Sequence, residues 1–417
     1  YDAAIAAVFT SMVSEPCLTS PGGGGVLLGS MGGNVPEVYN FFVDYPNNID
    51  RSDIDFFSVR VDFGDTTQDF NIGKGSIAVP GNVRGLLDAH ADNGRLSRSD
   101  VIAPAILCAR NGAKINRTQA YVIDILKDVL GIDSVSRELF FRSGELIKEG
   151  DIFYNPRLAN FFELLSSDQG RDSFYSGDIS RSLLDFFADG GSVSSSALRR
   201  YKTLRQRPLA SNVKSYDIYT APGPAVGGFL VQSMLRLISR LDKSDITPMS
   251  LASIIEHSGM IKSYLLGSDD IESDMDSLAS DRLFLDLISS REYHSDRFKS
   301  SISGVGMLGS TTHVSVIDCD MNAVTVTTTN GAGCGYVVPE FGFMMNNMLG
   351  EDDLNPHGIS SFEAGSRIPT MMAPTMLFKE GKVSCVLGSG GSSRIKSAIF
   401  QVLVNIIFKG MTLEDAV

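Results

Sequence analysis

The sequence lacks the residue groupings from which metal sites and disulfide frameworks are built. Its five cysteines are scattered and have no Cys-x-x-Cys spacing, and none of its five histidines stands in a His-Glu-x-x-His motif. We therefore expect reduced, partly buried thiols and predict no metal site and no cofactor. The residues concerned are Cys17, Cys108, Cys319, Cys334 and Cys385, and His90, His257, His294, His313 and His357.

Basic residues and long apolar runs are also scarce. Lys and Arg number 36 against 49 Asp and Glu, which gives a formal net charge of −13. This balance argues against a nucleic-acid partner, because phosphate binding needs a basic face. No apolar run reaches the length of a membrane span. No signal segment is visible, which favours a soluble, cytoplasmic protein, but Tyr1 is not a start residue and the compartment stays unassigned.

Apolar residues make up 43% of the 417 residues, enough for a buried core, and this excludes a disordered chain. The length suggests two or three domains, although a single α/β domain can be this large. Hydrophobic periodicity and turn residues predict a mainly helical early part and a turn to strands after residue 310. The predicted helices are 2–13, 97–111, 117–130, 222–241 and 394–408, and the predicted strands are 26–28, 311–318, 323–329, 342–345 and 383–387.

Two stretches before the late strands differ from the rest. Residues 243–300 are charged and helical in pattern, which is typical of a solvated surface region. Residues 300–310 carry no charge and show no periodicity, and their Gly/Ser content predicts a flexible linker.

The segment 311–329 predicts a β-hairpin with a defined register. Antiparallel partners keep a constant sum of residue numbers, and a sum of 640 pairs Val314 with Val326 and Val316 with Val324. A sum of 641 would pair valines with threonines and mix the two faces. Register follows the apolar pattern, so the first alternative is favoured, and it leaves a three-residue loop at 319–321.

This register gives the hairpin one apolar face and one polar face. The apolar face is expected to pack inward or against a second sheet. Because threonine is a good strand former, the segment alone favours a hydroxyl-rich solvent face on the other side. The residues predicted to share that polar face are Thr311, His313, Ser315, Thr325, Thr327 and Thr329.

These segments, taken in order, resemble the γ-glutamyltransferase family over nearly the whole chain. The Thr-Thr-His strand followed by a late Gly/Ser loop is the most specific part of the resemblance. The segments that carry it are 2–7, 22–25, 79–81, 103–105, 311–318, 322–327, 346–348, 372–375 and 388–395. The family carries more sequence at both ends, so both ends of this chain are expected to be incomplete.

The resemblance implies an N-terminal-nucleophile hydrolase, an αββα sandwich of two stacked, mainly antiparallel sheets flanked by helices. Members of the family are made as a single precursor that cuts itself before a threonine. Here that bond would be Ser310–Thr311. Residues 1–310 would then form a large-subunit-like region and 311–417 a small-subunit-like region, together one αββα domain, with a homo-oligomer as a further expectation.

The resemblance also implies the catalytic roles. Thr311 is expected to be the nucleophile, and its own α-amine, with an ordinary pKa of about 7.7–8.0, is a suitable base near neutral pH. Thr329, opposite Thr311 in the derived register, is expected to orient the hydroxyl. Matching the family loop without gaps places the oxyanion donors at Gly391 and Ser392. No lysine and hydroxyl pair directly follows this loop, so a phosphate-binding P-loop is not favoured.

Four residues are expected to bind substrate on the same basis. An acidic residue after the Asn-Asn pair would hold the glutamyl amino group, and Glu351 or Asp352 takes that position unless it is a surface turn acid. Asn330 matches a family asparagine only with a short deletion. Thr370 stands where the family has one hydroxyl of a Ser-Ser pair.

One family signature is absent. The Arg-Glu-x-Ala-Pro segment, whose arginine clamps the glutamyl α-carboxylate, is replaced by 57–65, where Arg60 is the arginine available. A planar bidentate clamp is not easily replaced. The acyl-transfer chemistry is thus better supported than glutathione as the donor.

Three functions remain open from the sequence. The first is transfer of a γ-glutamyl group from an amide to water or to an acceptor amine through an ester on Thr311. The second is a related acylase that acts on another acyl amide. The third is a non-catalytic paralogue that keeps the fold as a scaffold or binding protein.

Overall fold

The computed structural model describes residues 1–46, 53–64, 67–167, 169–268, 271–278, 311–355 and 363–417. The strands are β1 Gly24–Ser30, β2 Glu37–Phe41, β3 Phe57–Asp62, β4 Thr67–Ile72, β5 Ala113–Lys114, β6 Phe141–Arg142, β7 Glu145–Leu146, β8 Ile152–Phe153, β9 Leu204–Gln206, β10 Leu209–Val213, β11 Tyr216–Thr220, β12 Thr311–Ile317, β13 Ala323–Thr329, β14 Thr375–Lys379 and β15 Lys382–Leu387. The helices are α1 Asp2–Ser14, α2 Asn82–Asn93, α3 Arg98–Asn111, α4 Arg117–Ile125, α5 Lys127–Leu130, α6 Ser134–Phe140, α7 Pro156–Ser166, α8 Gly170–Ser176, α9 Asp178–Phe187, α10 Ser195–Arg200, α11 Val226–Ile238, α12 Pro248–Leu266, α13 Ile271–Leu278, α14 Ile395–Ile407 and α15 Leu413–Ala416.

Two antiparallel sheets form the centre of the fold. The first has the strand order β12-β13-β1-β2-β9 and the second the order β10-β11-β14-β15. Three two-stranded ribbons, β3–β4, β5–β8 and β6–β7, lie apart from them. Each central sheet combines strands from before and after residue 310, so the early and late parts of the chain fold together.

Alternation along the strands separates the core into layers. In β1, Leu27 belongs to an apolar cluster with Phe9 of α1, whereas Leu28 belongs to a second cluster with Met376 of β14. Successive side chains of a strand point to opposite faces, so one face of the first sheet packs on helices and the other on the second sheet. The outer face of the second sheet packs on α11, α12 and α14. This is the expected αββα sandwich.

Helix α3 shows how local sequence sets these elements. The Ser97 side chain accepts a hydrogen bond from the Asp100 backbone N–H at 3.2 Å and caps the helix. Gly112 follows the last helical residue with φ of +90°, a conformation that favours glycine. The predicted helix at 97–111 is confirmed.

Three predicted elements need correction. The helix predicted at 117–130 is divided at Leu126 into α4 and α5. The helix predicted at 222–241 begins only at Val226, because Pro224 disfavours helical backbone in the residue before it. The predicted strand 342–345 forms only isolated bridges, and the φ of +73° at Gly342 is incompatible with a strand.

The charged region 243–300 is only partly a solvated surface. Helix α12 buries Ile254, Ser258, Ile261 and Leu265 along one face. This spacing is that of an amphipathic helix packed on a core, so the surface interpretation is wrong for α12. The end of this region and the predicted linker at 300–310 lie outside the described residues.

Candidate active site

The hairpin β12–β13 brings two threonines together. Thr311 pairs with Thr329, Val314 with Val326, and Val316 with Val324, so the predicted register is confirmed. At the far end, the backbone N–H of Asp318 donates to the Asn322 carbonyl at 3.0 Å, which leaves the predicted three-residue loop.

The polar face of this hairpin points into the molecule. Thr325 and Thr327 are fully buried, and the Thr325 hydroxyl donates to the Leu387 carbonyl of β15 at 3.3 Å. The prediction of a solvent face is therefore wrong, because this face meets the second sheet while the valines pack on the side of α1. The arrangement places a row of hydroxyls between the two sheets.

His313 continues this row on the edge strand β12, where it is partly buried and Ser315 is exposed. Its Nδ1 lies 2.9 Å from the Thr327 hydroxyl, and its Nε2 lies 2.9 Å from the Ser315 hydroxyl. Burial lowers the pKa of the imidazole to about 4, so the ring is neutral near pH 7. A neutral imidazole donates one hydrogen bond and accepts another, which matches a ring held between two hydroxyls.

The Gly/Ser loop at 388–393 crosses over the start of β12. A Cβ placed on Gly388 would come within 2.1 Å of His313, and one on Gly390 within 2.6 Å of the Thr311 carbonyl oxygen. Gly391 has φ of +117°. These glycines let the loop backbone approach Thr311 closely, and the Thr311 hydroxyl donates to the Gly391 carbonyl at 3.4 Å.

A cleft of about 530 Å³, counted up to the open solvent, lies in front of this hydroxyl. It brings together six of the residues singled out from the sequence: Thr311, Thr329, Glu351, Thr370, Gly391 and Ser392. The remaining lining residues are Phe42, Phe70, Gly331, Ala332, Met348, Leu354, Met371, Met372 and Ile395.

The hydroxyl groups of this cleft are held by the surrounding backbone. The Thr329 hydroxyl accepts a hydrogen bond from the Gly331 N–H at 3.0 Å, and the Thr370 hydroxyl accepts one from the Met372 N–H at 3.3 Å. Both threonines are buried. These hydrogen bonds fix the orientation of both hydroxyl groups at the cleft.

Glu351 is the acidic residue in the cleft lining. Burial, together with the nearby Asp353, raises its pKa to about 7, while hydrogen bonds from the Ala332 backbone and the Asn347 side chain act in the opposite direction. Asp352 is exposed, accepts from Asn71 Nδ2 at 3.2 Å and does not line the cleft. Of the two acidic candidates, the structure brings Glu351 to Thr311.

Asn330 and Arg60 lie outside the cleft lining. The Asn330 amide accepts from the Ser20 hydroxyl at 2.8 Å and donates to the Met344 and Met345 carbonyls. Arg60 is 71% exposed on the β3–β4 ribbon and pairs with Asp69 at 2.8 Å. In these positions Asn330 supports the neighbouring turn and Arg60 forms a surface ion pair.

Sequence reasoning missed the apolar walls of the cleft and one polar contact. Phe42 and Phe70 come from segments far from Thr311 in sequence, and no pattern marks them as cleft residues. The Ser392 hydroxyl donates to Asp353 at 3.0 Å. The cluster of three consecutive acidic residues was a signal for Asp353, but nothing in it indicated a contact with the Gly/Ser loop.

A family model described as gamma-glutamyltranspeptidase matches residues 1–417. The chain belongs to this family. The gamma-glutamyltranspeptidase relatives include the glutathione hydrolase proenzyme of Bacillus subtilis strain 168, which is 28% identical over 457 aligned residues, covering 100% of this chain and 75% of that protein. The acylase ACY 1 proenzyme of Pseudomonas sp. strain SE83 is 26% identical over 432 residues, covering 100% and 76%.

A solved structure supports the same fold. The cephalosporin acylase of Bacillus halodurans superposes with a TM-score of 0.80 at 20% identity, covering 98% of this chain and 76% of that one. At this identity the likeness shows the fold, the αββα sandwich described above. In the described part of the chain, helices with the length and apolar character to cross a membrane are not found.

Proposed function

We propose that the protein transfers the acyl group of γ-glutamyl amides, such as glutathione-like compounds, to water or to an acceptor amine through an ester on Thr311. The observation that carries the proposal is the cleft in which Thr311, Thr329, Gly391 and Ser392 meet. A nucleophile, a hydroxyl opposite to it and a glycine-rich loop at the start of a helix are the groups that acyl transfer requires.

The nucleophile would be made by cleavage of the Ser310–Thr311 bond. The Thr311 hydroxyl attacks the Ser310 carbonyl carbon, the peptide C–N bond breaks as an ester forms, and water then hydrolyses that ester. The reaction consumes one water and leaves Thr311 with a free α-amine. The fragments 1–310 and 311–417 would stay associated, because strands of both belong to each sheet.

The free α-amine would serve as the base in each later step. It takes the proton of the Thr311 hydroxyl as the oxygen attacks the acyl carbonyl, and it returns a proton to the leaving amine as the amide C–N bond breaks. Water or an acceptor amine then attacks the ester with loss of its own proton. The bond between the acyl carbon and the Thr311 oxygen breaks. That oxygen takes up the proton lost by the water or amine, which regenerates the Thr311 hydroxyl.

The Gly/Ser loop would stabilise the negative charge that develops on the carbonyl oxygen. Gly391 and Ser392 border the cleft just before α14, and backbone N–H groups at the start of a helix favour negative charge. Loss of one such donor typically lowers the rate by ~10²–10³. Glu351, in its ionised form, would hold the ammonium of the donor, and Thr370 would supply a further hydrogen bond.

Turnover of a γ-glutamyl anilide tests this proposal. We expect Thr311→Ala to abolish release of the aniline and Thr311→Ser to retain part of it. Thr312→Ala is the matched control, because Thr312 faces away from the cleft and donates to Glu15 at 2.6 Å. Equal activity of Thr311→Ala and the wild type would refute the nucleophile. An intact chain without turnover of any acyl amide would favour a scaffold.

A second candidate, an acylase with a different donor, is favoured by the cleft walls. Seven large apolar side chains border it: Phe42, Phe70, Met348, Leu354, Met371, Met372 and Ile395. Arg60 is not among the lining residues and is paired with Asp69 at the surface. Turnover of an aliphatic acyl anilide in preference to the γ-glutamyl anilide would select this candidate.

A further inference from the structure

A ring of polar contacts joins helix α12 to the Gly/Ser loop. The Ser392 hydroxyl donates to Asp353 Oδ2 at 3.0 Å, and Asp353 Oδ1 lies 3.8 Å from Lys262 Nζ on α12. One turn earlier on α12, Ser258 accepts from Lys396 Nζ of α14 at 2.8 Å. Ser258 and Lys262 lie one helical turn apart on the same face of α12, whereas Ser392 lies just before α14 and Lys396 in its first turn.

The α12 and α14 side of the ring is shielded from solvent. Lys396 is 6% exposed and Ser258 is fully buried, and the Lys262 side chain is 15% exposed, whereas that of Asp353 is 34% exposed. Polar groups buried to this degree are costly unless they are paired. Each contact of the ring satisfies such a group, and removing one partner leaves the other without its hydrogen bond or its counter-charge.

Asp353 reaches the loop at the residue next to Gly391. Its bond to Ser392 joins the loop to a segment 39 residues away in the chain. Gly391 has φ of +117°, a backbone conformation that favours glycine. Because glycine has no side chain, no side-chain contact of Gly391 restrains the loop. An anchor on the following residue therefore restrains the part of the loop that lies over Thr311.

The charge of Asp353 would by itself oppose this site. A carboxylate beside the loop repels the negative charge that develops on a carbonyl oxygen bound there. The Lys262 ammonium lies 3.8 Å from Asp353 Oδ1, and it offsets that charge. The ring thus combines a fixed hydrogen-bond acceptor with local charge compensation.

We propose that Asp353, held by Lys262, is a positioning residue that fixes Ser392 for stabilisation of the oxyanion. This inference rests on the proposed function, since it assigns a support to the loop that would hold the oxyanion. Neither Asp353 nor Lys262 is among the residues that line the cleft. Their effect is therefore expected on kcat and not on binding of the donor.

Variants at Asp353 separate position from charge. Asp353→Ala removes the acceptor, and we expect kcat to fall by about tenfold to a hundredfold, with KM within about twofold, because a small misplacement of a catalytic group has effects of this size. In Asp353→Asn the amide oxygen still accepts from Ser392, so kcat is expected to stay within about threefold of the wild type.

Variants at Lys262 test the second contact. Lys262→Met keeps the length of the side chain and removes its charge, and we expect a lower kcat that Lys262→Arg restores. Lys127→Met is the matched control, because Lys127 also lies 3.8 Å from a carboxylate, that of Asp124, but in an exposed pair remote from the cleft lining. It is expected to leave kcat and KM unchanged.

The outcomes distinguish this inference from the proposed function. Wild-type kcat in Asp353→Ala would overturn the inference while leaving Thr311 chemistry intact. An equal loss in Asp353→Asn and Asp353→Ala, with a raised KM, would also overturn it, since that result assigns Asp353 to donor binding. If the wild type turns over no acyl amide, the proposed function fails. A crystal structure of Asp353→Ala then decides: an unmoved Ser392 backbone contradicts the inference, and a shifted one supports it.

Discussion

Gly388 lies directly against the imidazole of His313, so that a methyl group on its Cα would come within 2.1 Å of His313 Cε1. The histidine in turn is held between Ser315 and Thr327. The His313 imidazole, two residues from Thr311, therefore contacts both the start of the Gly/Ser loop and the hydroxyl groups of the hairpin.

This contact predicts that Gly388→Ala destabilises the protein and lowers kcat. We expect the free energy of unfolding to fall by about 1–3 kcal/mol, the usual cost of overpacking a filled interior. Urea unfolding measures it. Gly259→Ala is the control, because a Cβ at that position in α12 meets no atom within 4 Å and alanine is favoured over glycine in a helix. Equal stability of the two variants would contradict the packing argument.

The neutral state of His313 predicts a loss of stability in acid. Its pKa is lowered from 6.5 to about 4, so the unfolded chain takes up the proton first as the pH falls. The contribution to stability is complete above about pH 6.5 and is lost as the pH falls toward 4. We expect the difference in unfolding free energy between the wild type and His313→Gln to shrink over this range. A pH-independent difference would mean that the ring is not neutral in the folded protein.

Glu351 predicts a pH dependence of stability that is opposite in sign to that of His313. Its pKa is raised from 4.5 to about 7, so the folded protein holds the proton longer than the unfolded chain. The stability from this group is complete below about pH 4.5 and is lost as the pH rises through 7. Comparison of urea unfolding in the wild type and Glu351→Gln isolates this change, because the contribution of other groups, such as Asp44, cancels in the difference.

The same group predicts the pH dependence of donor binding. If ionised Glu351 holds the donor ammonium, KM is expected to fall as the pH rises from 6 to 8, and this trend disappears in Glu351→Gln. Steady-state kinetics with one donor over that range measures both. If KM of Glu351→Gln depends on pH as KM of the wild type does, a residue other than Glu351 binds the donor ammonium.

Thr329 is expected to orient the nucleophile. Thr329→Val keeps the shape of the side chain and removes the hydroxyl opposite Thr311, and we expect kcat to fall by about tenfold or more while Thr329→Ser retains most of it. Thr328→Val is the control, since the Thr328 hydroxyl pairs with Thr19 on the other face of β13 at 2.9 Å. A similar kcat in both valine variants would argue against the orienting role.

The sequence allowed prediction of features that depend on local periodicity. The register of Val314 with Val326 follows from the two-residue repeat of a strand, and it correctly brings Thr311 opposite Thr329. The cap at Ser97 and the stop at Gly112 follow from helix-end chemistry. The direction of the polar face did not follow, because it depends on which layer covers each side of the sheet.

Features that depend on distant contacts could not be predicted in this way. Phe42 and Phe70 reach the cleft through the packing of segments about 240 to 270 residues from Thr311. Lys262 lies on a helix whose charged pattern suggested a solvated face, but it pairs with Asp353 beside the Gly/Ser loop. Periodicity describes the faces of an element and does not specify which partner covers them.

Mass spectrometry of the denatured protein, combined with N-terminal sequencing of any smaller fragment, tests the central claim most directly. The account predicts two fragments in the wild type, the smaller beginning at Thr311, and one uncut chain in Thr311→Ala. A wild-type chain that stays whole after long incubation, or a Thr311→Ala chain that is still cut before position 311, would contradict it.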